Sequence, residues 1–486
     1  MAEHDRLAQP SHIRYALRHL RMLPPPYQAD DSNRITFAFF ALGSLALLGG
    51  LDRLAPAERS DYIHWVFRRW NPAIGGFGGA PNIDRRGLVG PDQEPADQPH
   101  LTHTYTALLI LALLTLPSAD QQEPASPYDR LDLPKLLQFV RNCQRPNGSF
   151  GSFPDSPDED IRFVYCAVAI LAIVRVDPST VIDVDSTERF LSSCRRYEGG
   201  YGQAPHCEAQ GGTTYCALAS FALLGRLESS QTDEEAESTA RWLVDRQAEL
   251  AEPPAEKSPV EGAQPEAKVS RAAEGSQPEA KVSSAAEGSQ PETKVSSAAE
   301  GSQPEAKVSS AAEGSDQPSA AGDRPALSKG LSSRVLGFQG RIGKPLDACY
   351  SFWCTAALTI MSRRLSSPGP PRSPFVYHPD LLDSPAHPTP QVLYDPHANI
   401  RFLLRCQSSQ WGGIARFPGD HPDVYHTYLA LASLSLSRQA TAAVSLAIPQ
   451  SSVDLDPPLA LHDPLLNIPV EASKWIFKCF APDQPK

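Results

Sequence analysis

The chain has 486 residues, an apolar fraction of 41% and a formal net charge of −12. That content supports a large core, and the acidic balance excludes nucleic acid as a general partner. Nine cysteines are scattered with no CxxC pair, several of them inside apolar helical patterns, which fits reduced thiols in a cytosolic or nuclear protein rather than a disulfide framework.

The opening MAEHDRLAQPSHIRYALRHLRML is polar and amphipathic and lacks the apolar core of a signal peptide. The longest apolar run, Ile35 to Gly50, is too short and too interrupted by glycine for a membrane span. It predicts a core helix, and no transmembrane segment is expected. Related apolar stretches recur along the chain: LTHTYTALLILALLTL from Leu101, IRFVYCAVAILAIV from Ile161, TTYCALASFALLG from Thr213, ACYSFWCTAALTIM from Ala348 and DVYHTYLALASLSLS from Asp423. These five carry a tyrosine near the start: Tyr105, Tyr165, Tyr215, Tyr350 and Tyr425.

Glycine-aromatic corners precede them: GGFGG at 75–79, GSFGS at 148–152, GGYGQ at 199–203, GFQGR at 337–341 and WGGIA at 411–415. Ahead of the corners lie amphipathic helices such as LPKLLQFVRNCQ, STERFLSSCRR, ESTARWLVDRQ and ANIRFLLRCQ. Each unit is therefore an amphipathic outer helix, a corner and an inner helix apolar on all sides, which must be covered on all sides. About six such pairs closed into a ring satisfy that demand. The expected fold is all-α, an α/α toroid (α6/α6 barrel), with an open α-solenoid as the alternative.

Residues 250–333 break the pattern. They contain a 13-residue repeat of the type EGSQPEAKVSSAA, starting at Glu261, Glu274, Glu287 and Glu300. Rich in Pro, Glu, Ser, Ala and Gly, this stretch cannot bury enough surface to offset its ordering entropy, so it reads as a disordered insertion. It divides the barrel into a first part, 1–249, and a second, 334–486. Proline spacing at about 368–396 suggests a second, shorter surface loop.

Chemistry-bearing residues gather after the insertion, in GFQGRIGKPLDACYSFWCTAALTIM from Gly337 to Met361. Asp347 and Cys349 stand at the start of an apolar helix, and His426 follows the repeated tyrosine of the last unit. A ring brings corresponding helix ends to one mouth, where carboxylate, thiolate and imidazole make a three-ligand set suited to zinc with an open fourth position. Spacing alone leaves plainer roles open: Cys349 as a core thiol, Asp347 as a helix N-cap, His426 as a core imidazole. Arg341, Lys344 and Tyr350 offer what a diphosphate leaving group needs as charge develops on it, or else form a solvated basic loop. Phe37, Phe39, Phe40, Phe352, Trp353, Tyr425 and Tyr428 would line an apolar funnel for a long lipid, or are ordinary core.

Taken together, the corners, DACYSFW and DVYHTY resemble the β subunits of the protein prenyltransferases over roughly 11–249 and 334–480. The type I geranylgeranyltransferase branch is the most similar, through NRITFAFFALGSL, DIRFVYCA, EAQGGTTYCALASF, GRIGKPLDACYSFW and GGIARFPGDHPDVYH. The resemblance implies one catalytic zinc per β subunit, held by Asp347, Cys349 and His426, with the cysteine of a C-terminal CaaX peptide in the fourth position. The zinc would deprotonate that thiol for attack on C1 of geranylgeranyl diphosphate. Arg341, Lys344, Tyr350, Gln210 and Arg416 would then hold the diphosphate. It also implies that Arg162 reaches the peptide carboxylate through water and that His100, Thr102 and Phe163 shape the pocket for the last peptide residue, typically Leu. Thr36, with Phe352 and Trp353, would set the lipid-length pocket, a small residue at 36 leaving room for a 20-carbon chain where the farnesyl enzyme carries Trp.

Arg416 falls where the farnesyl enzyme has a magnesium-binding Asp, so a fixed cation is expected to replace magnesium. Implied partners are a prenyltransferase α subunit in an obligate heterodimer and CaaX proteins such as Rho-type small GTPases, in the cytoplasm. The chain departs from the family at Gln210, where a histidine is usual and which can donate a hydrogen bond but carries no charge, and at Thr102, larger and more polar than the family's small residue. The alternatives are a farnesyltransferase β subunit, opposed by Thr36 and Arg416, and the Rab-specific type, less well matched by DIRFVYC and FAFFAL. A terpene cyclase would need an acidic motif of DxDD type that is missing. A non-catalytic α/α toroid that binds a protein would hold no zinc.

Overall fold

Residues that are apolar around a whole helix can be satisfied only by neighbours on every side, and the fold supplies them by closing a ring. The computed structural model describes residues 6–80, 98–117, 124–250, 334–366, 391–445 and 458–480. In chain order the helices are α1 (Gln9–Arg21), α2 (Arg34–Leu47), α3 (Pro56–Phe67), α4 (Leu101–Leu114), α5 (Leu133–Cys143), α6 (Ile161–Ile173), α7 (Val184–Ser193), α8 (Gly211–Leu223), α9 (Asp233–Val244), α10 (Ala348–Ser366), α11 (Pro396–Arg405), α12 (Val424–Ser445) and α13 (Val470–Cys479). Among the described residues three short antiparallel pairs accompany them: β1 (Gln247–Glu249) with β2 (Leu336–Phe338), β3 (Ile414–Ala415) with β4 (Pro422–Asp423), and β5 (His462–Asp463) with β6 (Ile468–Pro469).

The inner helices touch in the cycle α2–α4–α6–α8–α10–α12 and back to α2, so the ring is closed and the open solenoid is excluded. Every residue of α4 from Thr104 to Leu114 is buried, each large aliphatic contributing about 1.5–3 kcal/mol. The outer helices show the complementary pattern. In α5, Leu136, Phe139, Val140 and Cys143 are buried at helical spacing while Lys135, Gln138 and Arg141 face water. Gly75, Gly148, Gly199 and Gly412 take positive φ at the corners between outer and inner helices, a conformation that side chains with a Cβ resist.

A chain of backbone hydrogen bonds joins each unit to the next. The first free N–H groups of the inner helices are capped by carbonyls of the following corner: Ile35 by Gly79, Leu101 by Ser152, Ile161 by Gln203, Gly211 by Gly340 and Ala348 by Arg416. These bonds satisfy N–H groups that a helix start leaves without partners. No corner precedes α2, and there the ring is closed by a side chain instead, the Tyr27 hydroxyl lying 3.2 Å from the Val424 N–H of α12. The inner helices therefore all start at one mouth. The opposite end is covered by the segment 458–480: Ala460 donates to the Leu47 carbonyl at the end of α2, and Trp475 donates through Nε1 to Thr115 just beyond α4.

The insertion expected over 250–333 and the loop expected at about 368–396 fall, except for residues 250 and 391–396, outside the described residues. Their anchors do not. Gln247, Ala248 and Glu249 pair with Phe338, Gly337 and Leu336, and Leu250 donates to the Val335 carbonyl. This two-stranded stem brings the ends of the insertion together directly ahead of the GRIGKPLDAC loop. Because the stem is closed by its own ladder, and loop entropy changes slowly with length, replacing residues 255–325 by a short Gly-Ser linker should shift stability by less than about 1 kcal/mol. Thermal unfolding and transfer rate, measured on deletion and parent side by side, check this. A folded but inactive deletion would show that the segment takes part in the reaction.

Candidate active site

The mouth of the ring brings α10 and α12 side by side, and their first turns carry the three donors. The Arg416 carbonyl, from the corner of the last unit, caps Ala348 at 2.8 Å, which sets that corner against the start of α10. Asp347 is the cap residue itself, its Oδ1 accepting from the Cys349 N–H at 2.8 Å. One donor atom each of Asp347, Cys349 and His426 lies within 4.8 Å of the others, and His426 Nε2 is 3.3 Å from Asp347 Oδ1. The N-cap role is thus compatible with the ligand role, since a carboxylate has further lone pairs to offer.

Behind the imidazole stands Asp423, whose carboxylate accepts from His426 Nδ1 at 2.6 Å and from the His426 backbone N–H at 2.8 Å. With Nδ1 engaged there, Nε2 is turned toward Asp347 and Cys349, the arrangement by which a carboxylate orients a metal-binding histidine. Asp423 is held by pairing with Ile414 in β4–β3. Its sequence signal is the spacing D-x-x-H at a helix start, legible as a cap but not as an imidazole partner.

Charges in the cluster follow from this packing. Burial pushes the Cys349 thiol up to about 12, with Asp347 acting in the same direction and His426 against it. Burial works against a charged His426, but Asp423 and Asp347 outweigh it and hold the imidazolium well above its ordinary range. Burial would raise the Asp347 carboxyl, yet hydrogen bonds from His426 and Cys349 hold it below the usual value. The donor set is one carboxylate, one thiol and one imidazole, mostly buried and wired to a second carboxylate. It fits zinc in type, number and orientation.

Beside it opens a cavity of about 380 Å³ lined by Arg341, Lys344, Asp347, Tyr350, Arg416 and Asp420 among others. Four of the five residues expected at the diphosphate therefore line one space, and Gln210 joins them by accepting from the Tyr350 hydroxyl at 3.2 Å. Arg341 is paired with Glu208 at 3.1 Å and Arg416 with Asp420 at 3.4 Å, both at exposed positions. Such pairs are weak and exchangeable. The Tyr350 ring lies against the bare backbone of Gly340, where a Cβ would come within 2.2 Å of it.

The residues expected at the peptide sit on α4 and α6. His100 caps α4, its Nδ1 accepting from the Thr102 N–H at 3.1 Å, and its ring meets Phe163 edge-on at 5.4 Å. Burial pushes the His100 imidazole down to about 4, so it is neutral at physiological pH. Thr102 Oγ1 is 3.8 Å from Cys166 Sγ. The Arg162 guanidinium is forked onto Asp160, its Nε 2.9 and 3.0 Å from the two carboxylate oxygens, a partner unremarked at the level of sequence. The lipid-length trio is spread out: Thr36 in the first turn of α2 and Trp353 on α10 are half-buried, whereas Phe352 is fully buried, edge-on to His462 at 5.6 Å. No helix among the described residues is long and apolar enough to cross a membrane.

Comparison with known proteins places the chain in a family. The chain is 25% identical over 443 residues to the geranylgeranyl transferase type-1 subunit beta of Arabidopsis thaliana, covering 87% of this chain and 84% of that one. It is 26% identical to the protein of the same name from Dictyostelium discoideum (86% and 87% covered) and 26% identical to the protein farnesyltransferase subunit beta of Schizosaccharomyces pombe (87% and 76% covered). Its fold matches a structure of Candida albicans protein geranylgeranyltransferase-I complexed with GGPP, with a TM-score of 0.62 over 98% of this chain and 100% of that one at 21% identity. Residues 7–468 match the family described as the prenyltransferase alpha-alpha toroid domain. The chain is a member of that prenyltransferase family.

Proposed function

We propose that this chain is the catalytic β subunit of a heterodimeric protein geranylgeranyltransferase type I. It transfers a geranylgeranyl group from geranylgeranyl diphosphate to the cysteine thiol of C-terminal CaaX sequences, typically ending in Leu, on proteins such as Rho-type small GTPases. The observation that carries this reading is the convergence of Asp347, Cys349 and His426 beside a cavity lined by Arg341, Lys344, Tyr350 and Arg416. A zinc ion held by the three donors would supply a Lewis acid that makes the substrate thiol a nucleophile at neutral pH.

The remaining work belongs to the protein's own side chains. Arg341 and Lys344 take up the charge that develops on the departing diphosphate, Arg341 exchanging Glu208 for it, while the Tyr350 hydroxyl turns from Gln210 to donate to a phosphate oxygen. Arg416 exchanges Asp420 in the same way and stands in for a metal counter-ion. On the peptide side, Asp160 presents the Arg162 fork toward the substrate's terminal carboxylate, and neutral His100 with Phe163 walls the pocket for its last residue. Trp353 in the second turn of α10 and Tyr425 in the first turn of α12, both half-buried, keep water from the lipid.

The competing farnesyl reading draws on Asp420, a carboxylate in the diphosphate cavity that could favour magnesium. Purified heterodimer, offered farnesyl and geranylgeranyl diphosphates against peptides ending in Leu or Met with and without magnesium, separates the two. Magnesium-independent geranylgeranyl transfer to Leu-ending peptides is expected. Dominant, magnesium-stimulated farnesyl transfer to Met-ending peptides would overturn the type I assignment.

A further inference from the structure

Asp423, the carboxylate behind the metal-binding imidazole, is flanked on both sides by bonds to the N-terminal segment of the chain. The Tyr15 hydroxyl of α1 donates to the Pro422 carbonyl at 2.9 Å. On the other side the Val424 N–H donates at 3.2 Å to the hydroxyl of Tyr27, in the segment Pro25–Asn33. These partners lie 407 and 397 positions apart in the chain. The Pro422 carbonyl and the Val424 N–H belong to the two peptide planes that meet at Asp423. Peptide units are rigid, so neither plane can turn without giving up a hydrogen bond.

The two tyrosines are themselves fixed. His12 ties α1 to the corner of the last unit: its Nδ1 accepts from the Gly413 N–H at 2.9 Å and its Nε2 donates to Gln407 Oε1 at 2.9 Å. Burial lowers His12 to about 4, against its bond to Gln407, so the ring is neutral, as these two bonds require. The Tyr15 ring covers Gly413, where a Cβ would come within 2.9 Å of it. Tyr27 stands between His19 of α1, at 5.8 Å between ring centroids, and Phe37 of α2, edge-on at 4.9 Å. Burial raises both phenols, that of Tyr27 to about 12, and the Asp423 carboxylate adds to the rise in each. Both hydroxyls therefore keep their protons at physiological pH, as Tyr15 must in order to donate.

We infer that Tyr15 and Tyr27 are positioning residues of the metal centre. By pinning the peptide planes on either side of Asp423 they aim its carboxylate at His426 Nδ1, and so hold Nε2 toward Asp347 and Cys349. The inference rests on the zinc-binding reading above and extends it to a part of the chain that supplies no ligand. Partners beyond the ligands tune metal affinity by fixing ligand orientation, and here the fixing reaches one step further out, to α1. A tyrosine that served packing alone would support the barrel and leave the metal unaffected.

The test titrates zinc into the metal-stripped heterodimer against a competing chelator, with circular dichroism to identify folded variants. Tyr27→Phe and Tyr15→Phe, each losing one hydroxyl, should weaken zinc binding about three- to tenfold, less than the loss of a direct partner of the ligand. Tyr128→Phe is the control, since its hydroxyl also donates to a backbone carbonyl, that of Leu108 at 2.9 Å within α4. It should lower the unfolding temperature comparably and leave zinc affinity within about twofold. In an Asp423→Ala background, Tyr27→Phe should cost less than about twofold more, because the group it positions is gone. Should Tyr27→Phe fail to fold, Tyr15→Phe decides. Folded variants with wild-type zinc affinity, an equal loss in Tyr128→Phe, or a full loss in the Asp423→Ala background each overturn the positioning role alone. A wild type that binds no zinc overturns the metal reading and the positioning role together.

Discussion

Cys349→Ser should yield a folded barrel that no longer retains zinc on dialysis and shows no measurable prenyl transfer. The side chain is buried at the start of α10 and serine nearly matches its size, so the ring should form. The serine hydroxyl, however, stays protonated and offers a poor ligand, leaving only Asp347 and His426. Since losing an outer partner of a metal ligand already costs about 10–100-fold in affinity, losing a ligand should cost more than about 100-fold. Metal analysis of the dialysed protein and a transfer assay read the two consequences separately. A variant that keeps one zinc per chain and wild-type transfer would remove Cys349 from the site. A linked result is expected with pH. Burial pushes the Cys349 thiol up to about 12, and Asp423 and Asp347, against burial, raise the His426 imidazolium well above its ordinary range. Both protons must leave before sulfur and nitrogen can bind a metal, so zinc affinity should rise with pH and fall in acid.

Asp423→Ala should lower zinc affinity about 10–100-fold, although Asp423 contributes no donor to the cluster. Its carboxylate performs two tasks, accepting from the His426 imidazole and capping α12 at the His426 N–H. Loss of the cap alone should cost about 1 kcal/mol of stability. Asp423→Asn separates the tasks, because an amide oxygen can still cap the helix but carries no charge to support the ring. The Asn variant should therefore keep close to wild-type thermal stability while losing part of the metal affinity, and the Ala variant should lose both. Equal metal affinity in wild type and Ala variant, titrated against a competing chelator, would show that His426 is oriented by packing alone.

Much of the architecture is legible in the residues. Stretches such as LTHTYTALLILALLTL are apolar around the whole helix, and only a closed layer of neighbours can satisfy them, so the ring follows from burial. The glycines of the corners and the amphipathic face of LPKLLQFVRNCQ place the turns and the outer layer by equally local rules. Asp347, Cys349 and His426 were open to plainer readings by spacing alone, and the resemblance of DACYSFW and DVYHTY to a known family singled them out.

Other features depended on which distant residues meet. Asp423 reads as a helix cap until the fold shows the imidazole against it, and nothing near Arg162, Arg341 or Arg416 in the chain marks which carboxylates hold them. The repeated tyrosines look equivalent, yet Tyr105 and Tyr165 grip the C-terminal turn while Tyr350 turns to Gln210. Hydropathy and glycine spacing report what each segment needs locally, burial or a sharp corner, and those needs determined the helices and the ring by themselves. Pairings such as Tyr27 with Val424, or Leu466 with Tyr105, join opposite ends of the chain and exist only once the ring has closed, so the tertiary structure alone decided them.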